Sequence, residues 1–174
     1  MKTYKNLLPK MFFDKLSSIV NDKWIPWYFL DRTIESKTNK ERIDNFMFTH
    51  LLAEAEPIQK PLEIKSNQFT VFEPIIYFIN EHVKVNKILR MKLNLYPKQN
   101  LVLDHVAHHD FEEKNIGIKT AVFNFTTCNG GTTINNKFYK SKQNELHVFD
   151  NECLHYGRVQ NNTKTRIVLN INWI

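Results

Sequence analysis

From about residue 87 onward the chain alternates with a period of two, and this limits its fold more than any other feature. In "LRMKLNLY" the apolar Leu89, Met91, Leu93 and Leu95 are separated by Arg90, Lys92, Asn94 and Tyr96. In the closing "RIVLNINWI", Ile167, Leu169, Ile171 and Trp173 point one way and Arg166, Val168, Asn170 and Asn172 the other. A pleated strand with one face in a core reads this way, because successive side chains leave a strand on opposite sides. "IKTAVFNFT" and "ELHVFD" add further strands, and "TTINNKFYK" predicts a hairpin turning at Asn135 and Asn136. Short strands in close succession predict a sandwich or jelly roll. A late strand carrying one arginine and two amides on an otherwise apolar, β-branched background predicts a lined cavity; the alternative is an ordinary antiparallel sheet with one wet face.

Before residue 86 the period is helical. "LPKMFFDKLSSIVND" sets Phe12, Leu16, Ile19 and Val20 on one face, with Pro9 in the first turn, and "VFEPIIYFINEHV" repeats the pattern with Phe72, Ile75, Ile76, Ile79 and Val83. "WIPWYFLDRTI" and "NFMFTHLL" read as extended segments between them. The expected class is mainly β with flanking helices (α+β), the helices packed on one sheet. A chain of 174 residues is one domain's worth, and no repeat or linker divides it. Without an apolar run long enough to span a bilayer or a leader-like start, the protein is expected to be soluble and cytoplasmic, with no membrane partner. Cys128 and Cys153 are expected to be free thiols. The net charge of +6 is spread along the chain, so it permits nucleic acid as a partner without any motif that calls for it.

"DHVAHHDF", residues 104–111, holds three of the seven histidines. On an extended segment only residues two apart converge, which selects His108 with Asp110 and sets aside Asp104, His105 and His109. A third ligand must come from elsewhere, and "FDNECLHYGRV" offers His155 in a turn-like setting. Two imidazoles and one carboxylate suit a non-haem Fe(II) oxygenase, with zinc the chemical competitor; the HExxH helix of zinc proteases is absent. Arg166 follows at the start of the last strand, a forked, permanent cation suited to a dicarboxylate.

The ordered set His108-x-Asp110, His155 and Arg166, with "LNLYP" upstream, "KTAVFNFTTCNGGT" between and "RIVLNINWI" at the end, resembles the 2-oxoglutarate and Fe(II)-dependent dioxygenases. Among them it looks most like the small versions carried by marine bacteriophages and the prolyl-hydroxylase-like branch. The matching region runs from Arg90 to Ile174; the N-terminal half matches more loosely, through its helix, "PWYF" and a later "F-x-H" segment. The resemblance implies a double-stranded β-helix in a single catalytic domain over 1–174, with 1–86 as support and 87–174 as catalytic core. It implies Fe(II) on His108, Asp110 and His155, 2-oxoglutarate on Arg166 with Tyr96 and Asn94 beside it, and O2 as oxidant. The implied reaction hydroxylates a C–H bond of a protein side chain or small metabolite, giving succinate and CO2. Two departures stand out: Asn124 where prolyl hydroxylases often carry tyrosine, and Val168 where a serine is usual. Oxidation of a nucleobase and a non-catalytic jelly-roll binding module are the alternatives.

The remaining polar residues have plainer readings. His105 is expected in a structural or supporting role, His109 on the surface, and His147 packed and satisfied. Asp150 and Asn151 are expected to turn the chain toward His155, Cys153 to act as a small buried hydrophobe, and Gly130-Gly131 to form a turn. Asn172 is expected to reach the cosubstrate pocket. Loops around 33–44, 55–68 and 111–117 are expected to frame the mouth.

Overall fold

In the computed structural model, which describes residues 1–31, 46–113 and 116–174, the alternating segments form strands as expected. In chain order the elements are β1 (Lys2–Lys5), α1 (Lys10–Val20), β2 (Tyr28–Leu30), β3 (Met47–Glu54), β4 (Glu63–Ile64), α2 (Phe69–Phe72), α3 (Ile75–Asn80), β5 (Ile88–Pro97), β6 (Lys119–Asn124), β7 (Gly131–Ile134), β8 (Lys137–Lys140), β9 (Glu145–Asp150), β10 (His155–Arg158) and β11 (Thr165–Trp173). The large antiparallel sheet runs β1-β9-β6-β11-β5-β3-β2, with β4 on β3, and the small sheet runs β10-β7-β8. Isolated bridges from Asp104 to Arg158 and from His108 to His155 lay the 104–108 segment along the free side of β10. This is a jelly roll with helices on its outer face. One edge of the large sheet is β1 and the other is made by β2 and β4 along β3, so residues 1–86 supply strands as well as cover.

The two faces of the large sheet separate as the alternation predicts. Met91, Leu93, Ala121, Phe123, Leu146, Val148, Ile167, Leu169, Ile171 and Trp173 join Phe13, Leu16 and Val20 of α1, Phe72 of α2 and Ile75 and Ile79 of α3 in one core. The opposite face meets the small sheet through Met47, Tyr96, Val122, Ile134, Phe149 and Val168. The polar alternation on β5 and β11 therefore lines an internal space, and the wet-face alternative is set aside.

Several local expectations differ. The inward stripe of α1 is Phe13, Leu16 and Val20, with Phe12 and Ile19 only half-buried. The second predicted helix is broken between Phe72 and Ile75, where Pro74 lacks an amide hydrogen to continue the ladder. Leu89 leaves the face of Met91 and Leu93 for a cluster with Ile58 and Ile118, because the β5–β11 register slips between Asn172 and Trp173. Gly130-Gly131 is not a turn. Gly131 opens β7, and a Cβ there would lie 2.1 Å from the Tyr139 carbonyl oxygen, so the glycine permits close strand approach. The β7–β8 hairpin does turn at Asn135 (φ 46°) and Asn136 (φ 64°), both left-handed as the tight two-residue turn requires. The 33–44 loop and Lys114-Asn115 lie outside the described residues.

Candidate metal and cosubstrate site

The site is built on the register between β5 and β11. Tyr96 pairs with Arg166, Asn94 with Val168, Lys92 with Asn170 and Arg90 with Asn172. Four rows of side chains thus cross the inner face, spaced by one pleat or roughly 7 Å. At one end Arg90 and Asn172 grip Asp110. The Arg90 Nη2 to Asp110 Oδ1 distance is 2.8 Å, and Asn172 Nδ2 donates to Oδ2 at 2.9 Å. The Arg90–Asp110 contact is an ion pair whose N–H does not point at the oxygen, since Nη2 makes no geometrically satisfied hydrogen bond. Asn172 also donates to Thr120 Oγ1 at 3.0 Å and accepts from Arg90 Nε at 3.2 Å. It therefore holds Asp110 and does not line the cosubstrate cavity as expected.

The small sheet brings the histidines over this carboxylate. His108 Nε2 lies 3.9 Å from Asp110 Oδ1, and His155 Nε2 lies 3.8 Å from Oδ2. The three ligand atoms fall within 4.8 Å of one another, a spacing that a single metal ion bridges. Each imidazole is oriented from behind: His108 Nδ1 is 3.2 Å from the Val106 carbonyl oxygen and His155 Nδ1 is 3.2 Å from that of Cys153. A carbonyl only accepts, so both Nδ1 atoms carry the proton and both Nε2 lone pairs face the cluster. His155 Nε2 is buried without a hydrogen-bond partner.

Electrostatics keep the set ready to ligate. Burial alone would raise the Asp110 carboxyl, but Arg90, the two histidines and the Asn172 amide together hold it well below the usual carboxylate range. Burial, then His155, pulls His108 down to about 4 against the pull of Asp110. Burial likewise lowers His155. Protons therefore compete for His108 only near pH 4, and for His155 below the ordinary histidine range.

At the other end of the rack Arg166 is 1% exposed. Its Nη2 donates to Thr132 Oγ1 at 3.0 Å, its guanidinium lies 5.2 Å from the Tyr96 ring centre, and its Nε is buried without a partner. Tyr96 is hydrogen-bonded to the Asn94 side chain, which also accepts from Thr49 Oγ1 at 3.2 Å. A cavity of about 50 Å³ joins Arg166, Tyr96, Asn94 and Lys92 to His108, Asp110 and His155. That volume admits a few water molecules. All six residues expected at the site thus meet in one space.

Other residues fall into place around it. His105 lines the cavity with its ring 5.3 Å from that of Tyr96, and a Cβ on Gly157 would come within 3.2 Å of His105 Nδ1. His109 is exposed and bonds the Asn151 carbonyl, while the Asn151 side chain clasps both backbone groups of Phe111, fixing the loop just past Asp110. Asp104 forks onto Arg158 at 2.5 and 2.8 Å, away from the cluster. Cys153 is half-buried and accepts from Asn135, so it is less sequestered than expected; Cys128 is free and buried. Asn124 is tied to Glu145 and Ser141 outside the cavity. His147 is buried with Nδ1 3.0 Å from Thr3 Oγ1, but its Nε2 has no partner. Arg90 and Lys92 carry no expected role, although they alternate on the same face as Asn94 and Tyr96; Asn170, one of the two amides expected to line a cavity, does line it.

The fold is that of known oxygenases. An oxidoreductase of the 2OG-Fe(II) oxygenase family from Burkholderia pseudomallei superposes with a TM-score of 0.72 over 97% of this chain and 82% of its own, at 8% identity. A Pseudomonas putida prolyl-4-hydroxylase is similar at a TM-score of 0.60 and 12% identity, covering 99% of this chain and 90% of that one. A Trichoplax adhaerens prolyl hydroxylase, in complex with a hypoxia inducible factor oxygen degradation domain peptide fragment, also gives 0.60, at 11% identity over 99% and 82%. At these identities the likeness establishes a shared fold. No protein-family model and no curated protein matches the chain in sequence.

Proposed function

We propose that this protein is an Fe(II)- and 2-oxoglutarate-dependent oxygenase that hydroxylates a C–H bond of a protein side chain or small metabolite. The observation that carries the reading is the cavity itself, which joins the His108, Asp110 and His155 cluster to the buried, part-unpartnered Arg166 guanidinium. Two imidazoles and a carboxylate fit Fe(II) and leave coordination positions open, and a buried fork fits a carboxylate. Bound Fe(II) supplies the redox chemistry that activates O2, with 2-oxoglutarate as the two-electron reductant that leaves as succinate and CO2. One oxygen atom goes to succinate and the other to the substrate.

The chain's own residues bind and orient. His108, Asp110 and His155 hold the metal, and Arg90 and Asn172 fix the Asp110 carboxylate. Arg166 holds the distal carboxylate of the cosubstrate, with Thr132 and Tyr96 setting its plane and Asn94 setting Tyr96. Met47, Val122 and Val168 wall the cavity. Residues 1–174 act as one catalytic domain, 1–86 supporting a core of 87–174. The peptide held by the Trichoplax neighbour makes peptides one class to test beside small metabolites. A phage-type origin and a cytoplasmic location rest on the sequence alone; among the described residues no helix is long and apolar enough to cross a membrane.

Anaerobic titration with Fe(II) and 2-oxoglutarate tests the reading. A weak visible charge-transfer band is expected only when both are present. His108→Ala should abolish metal binding, whereas Arg166→Ala should keep the metal and weaken 2-oxoglutarate by roughly 10- to 150-fold, the worth of a charged hydrogen bond. No band and no thermal stabilisation would instead indicate a binding module.

A further inference from the structure

Lys92 has no place in the chemistry assigned above, yet it lines the same cavity as the metal cluster. Its row on the rack, Lys92 opposite Asn170, is next to the Arg90–Asn172 row that grips Asp110 and two rows from the Arg166–Tyr96 row. Along a strand that is roughly 7 Å from the first and 13 Å from the second, which puts Lys92 at the metal end. Among the described residues, no carboxylate stands within ion-pair distance of its ammonium; Asp110 and Glu54 act on it only from further away. Beside it the Asn170 Oδ1 atom is buried without a hydrogen-bond partner. A cation without an ion-pair partner and an unpartnered acceptor thus line the same cavity as the metal cluster, one row from the residues that grip Asp110.

Charge balance identifies what completes them. In the loaded site the two charges of Fe(II) and that of Arg166 are matched by Asp110 and the two carboxylates of 2-oxoglutarate. Arg90, ion-paired to Asp110 at 2.8 Å, also borders a separate groove of about 720 Å³ lined by Glu54, Glu56, Glu112 and Glu113. Among the described residues, Lys92 is the cation lining this cavity that neither an ion-paired carboxylate nor the cosubstrate answers, and it carries a single positive charge. A half-buried ammonium in a narrow cavity is stable when an anion joins it.

We propose that the substrate carries a carboxylate, held by Lys92 beside the metal cluster, so that Lys92 determines specificity for a singly charged acid. This rests on the oxygenase reading. Lys92 reaches the substrate and not the cosubstrate, which Arg166 holds at the far end.

The test uses acetate and its uncharged isostere acetamide, titrated anaerobically into protein carrying Fe(II) and 2-oxoglutarate, with binding read by calorimetry and by perturbation of the visible band. Acetate should bind at least tenfold more tightly than acetamide. Lys92→Met should erase most of that preference, Lys92→Arg should restore it, and the affinity for 2-oxoglutarate should stay within about twofold. Equal binding of acetate and acetamide, or a preference that survives Lys92→Met, overturns the inference while an intact band leaves the oxygenase reading standing. Loss of 2-oxoglutarate binding in Lys92→Met would make Lys92 a cosubstrate residue and also overturn it. Failure of the band to form in the unsubstituted protein would overturn both.

Discussion

His147 is 2% exposed, with its ring 5.4 Å from that of Tyr139 and its Nε2 unpartnered. Burial, and secondarily Arg166, holds it down to about 4 from an ordinary 6.5. The folded pKa is depressed, so above 6.5 the residue is neutral in both states and its full contribution is present. As the pH falls from 6.5 toward 4 the unfolded chain takes up the proton and the folded protein does not, so stability is lost by on the order of 3 kcal/mol. Burial lowers His50, His108 and His155 in the same direction, which steepens the slope further. Urea unfolding from pH 7.5 to 4 checks this in the parent protein and in His147→Asn. The variant should lose markedly less stability over that range, and equal slopes would show that His147 is not held neutral. The packing of His147 is visible in the alternation of "ELHVFD", but the expected satisfaction of its ring fails at Nε2, because a partner for that nitrogen would have to come from a distant segment.

At the level of elements, alternation within one strand was legible and register between strands was not. "LRMKLNLY" and "RIVLNINWI" disclosed which residues face inward, and the two-residue spacing in "HHD" picked His108 and Asp110, because both follow from strand geometry alone. That Asn172 stands opposite Arg90, and that both meet Asp110, follows from the β5–β11 pairing and its slip near Leu89, which no single segment encodes. The break at Pro74 was readable in hindsight from the proline, whereas the edge position of β1 depends on the whole topology. The register carries a consequence for the metal. Asn172→Ala removes the donor to Asp110 Oδ2 and the acceptor for Arg90 Nε at once. Metal affinity should fall about 10- to 100-fold with the ligands intact, as for other residues that orient a ligating side chain. Competition titration against a chromophoric chelator measures it, and an unchanged affinity would mean that Asp110 is held well enough by Arg90 alone.

For the molecule as a whole, the cluster adds a bridge between two sheets that are otherwise joined by packing and by contacts such as the Arg166–Thr132 hydrogen bond. Asp110 is tied to the large sheet through β5 and β11, His155 belongs to the small sheet, and His108 lies on the segment bridged to it. A metal held by all three links the sheets across the cavity, and the unfolded chain offers no comparable site. Binding to the folded state alone stabilises it by mass action, by about 2.7 kcal/mol at one hundred times the dissociation constant. For a chain of 174 residues each kcal/mol raises the melting temperature by roughly 2 to 4 °C, so a rise of about 5 to 10 °C is expected. Anaerobic melts with redox-inert Mn(II) in place of Fe(II) test this without turnover. 2-Oxoglutarate should add to the shift more strongly when Mn(II) is present than when it is absent, because a chelating cosubstrate needs both ends of the rack. His155→Ala should remove the Mn(II) shift and the extra effect of 2-oxoglutarate together. A shift that survives His155→Ala would show that the ion binds elsewhere on the protein, and the bridge between the sheets would have to be abandoned.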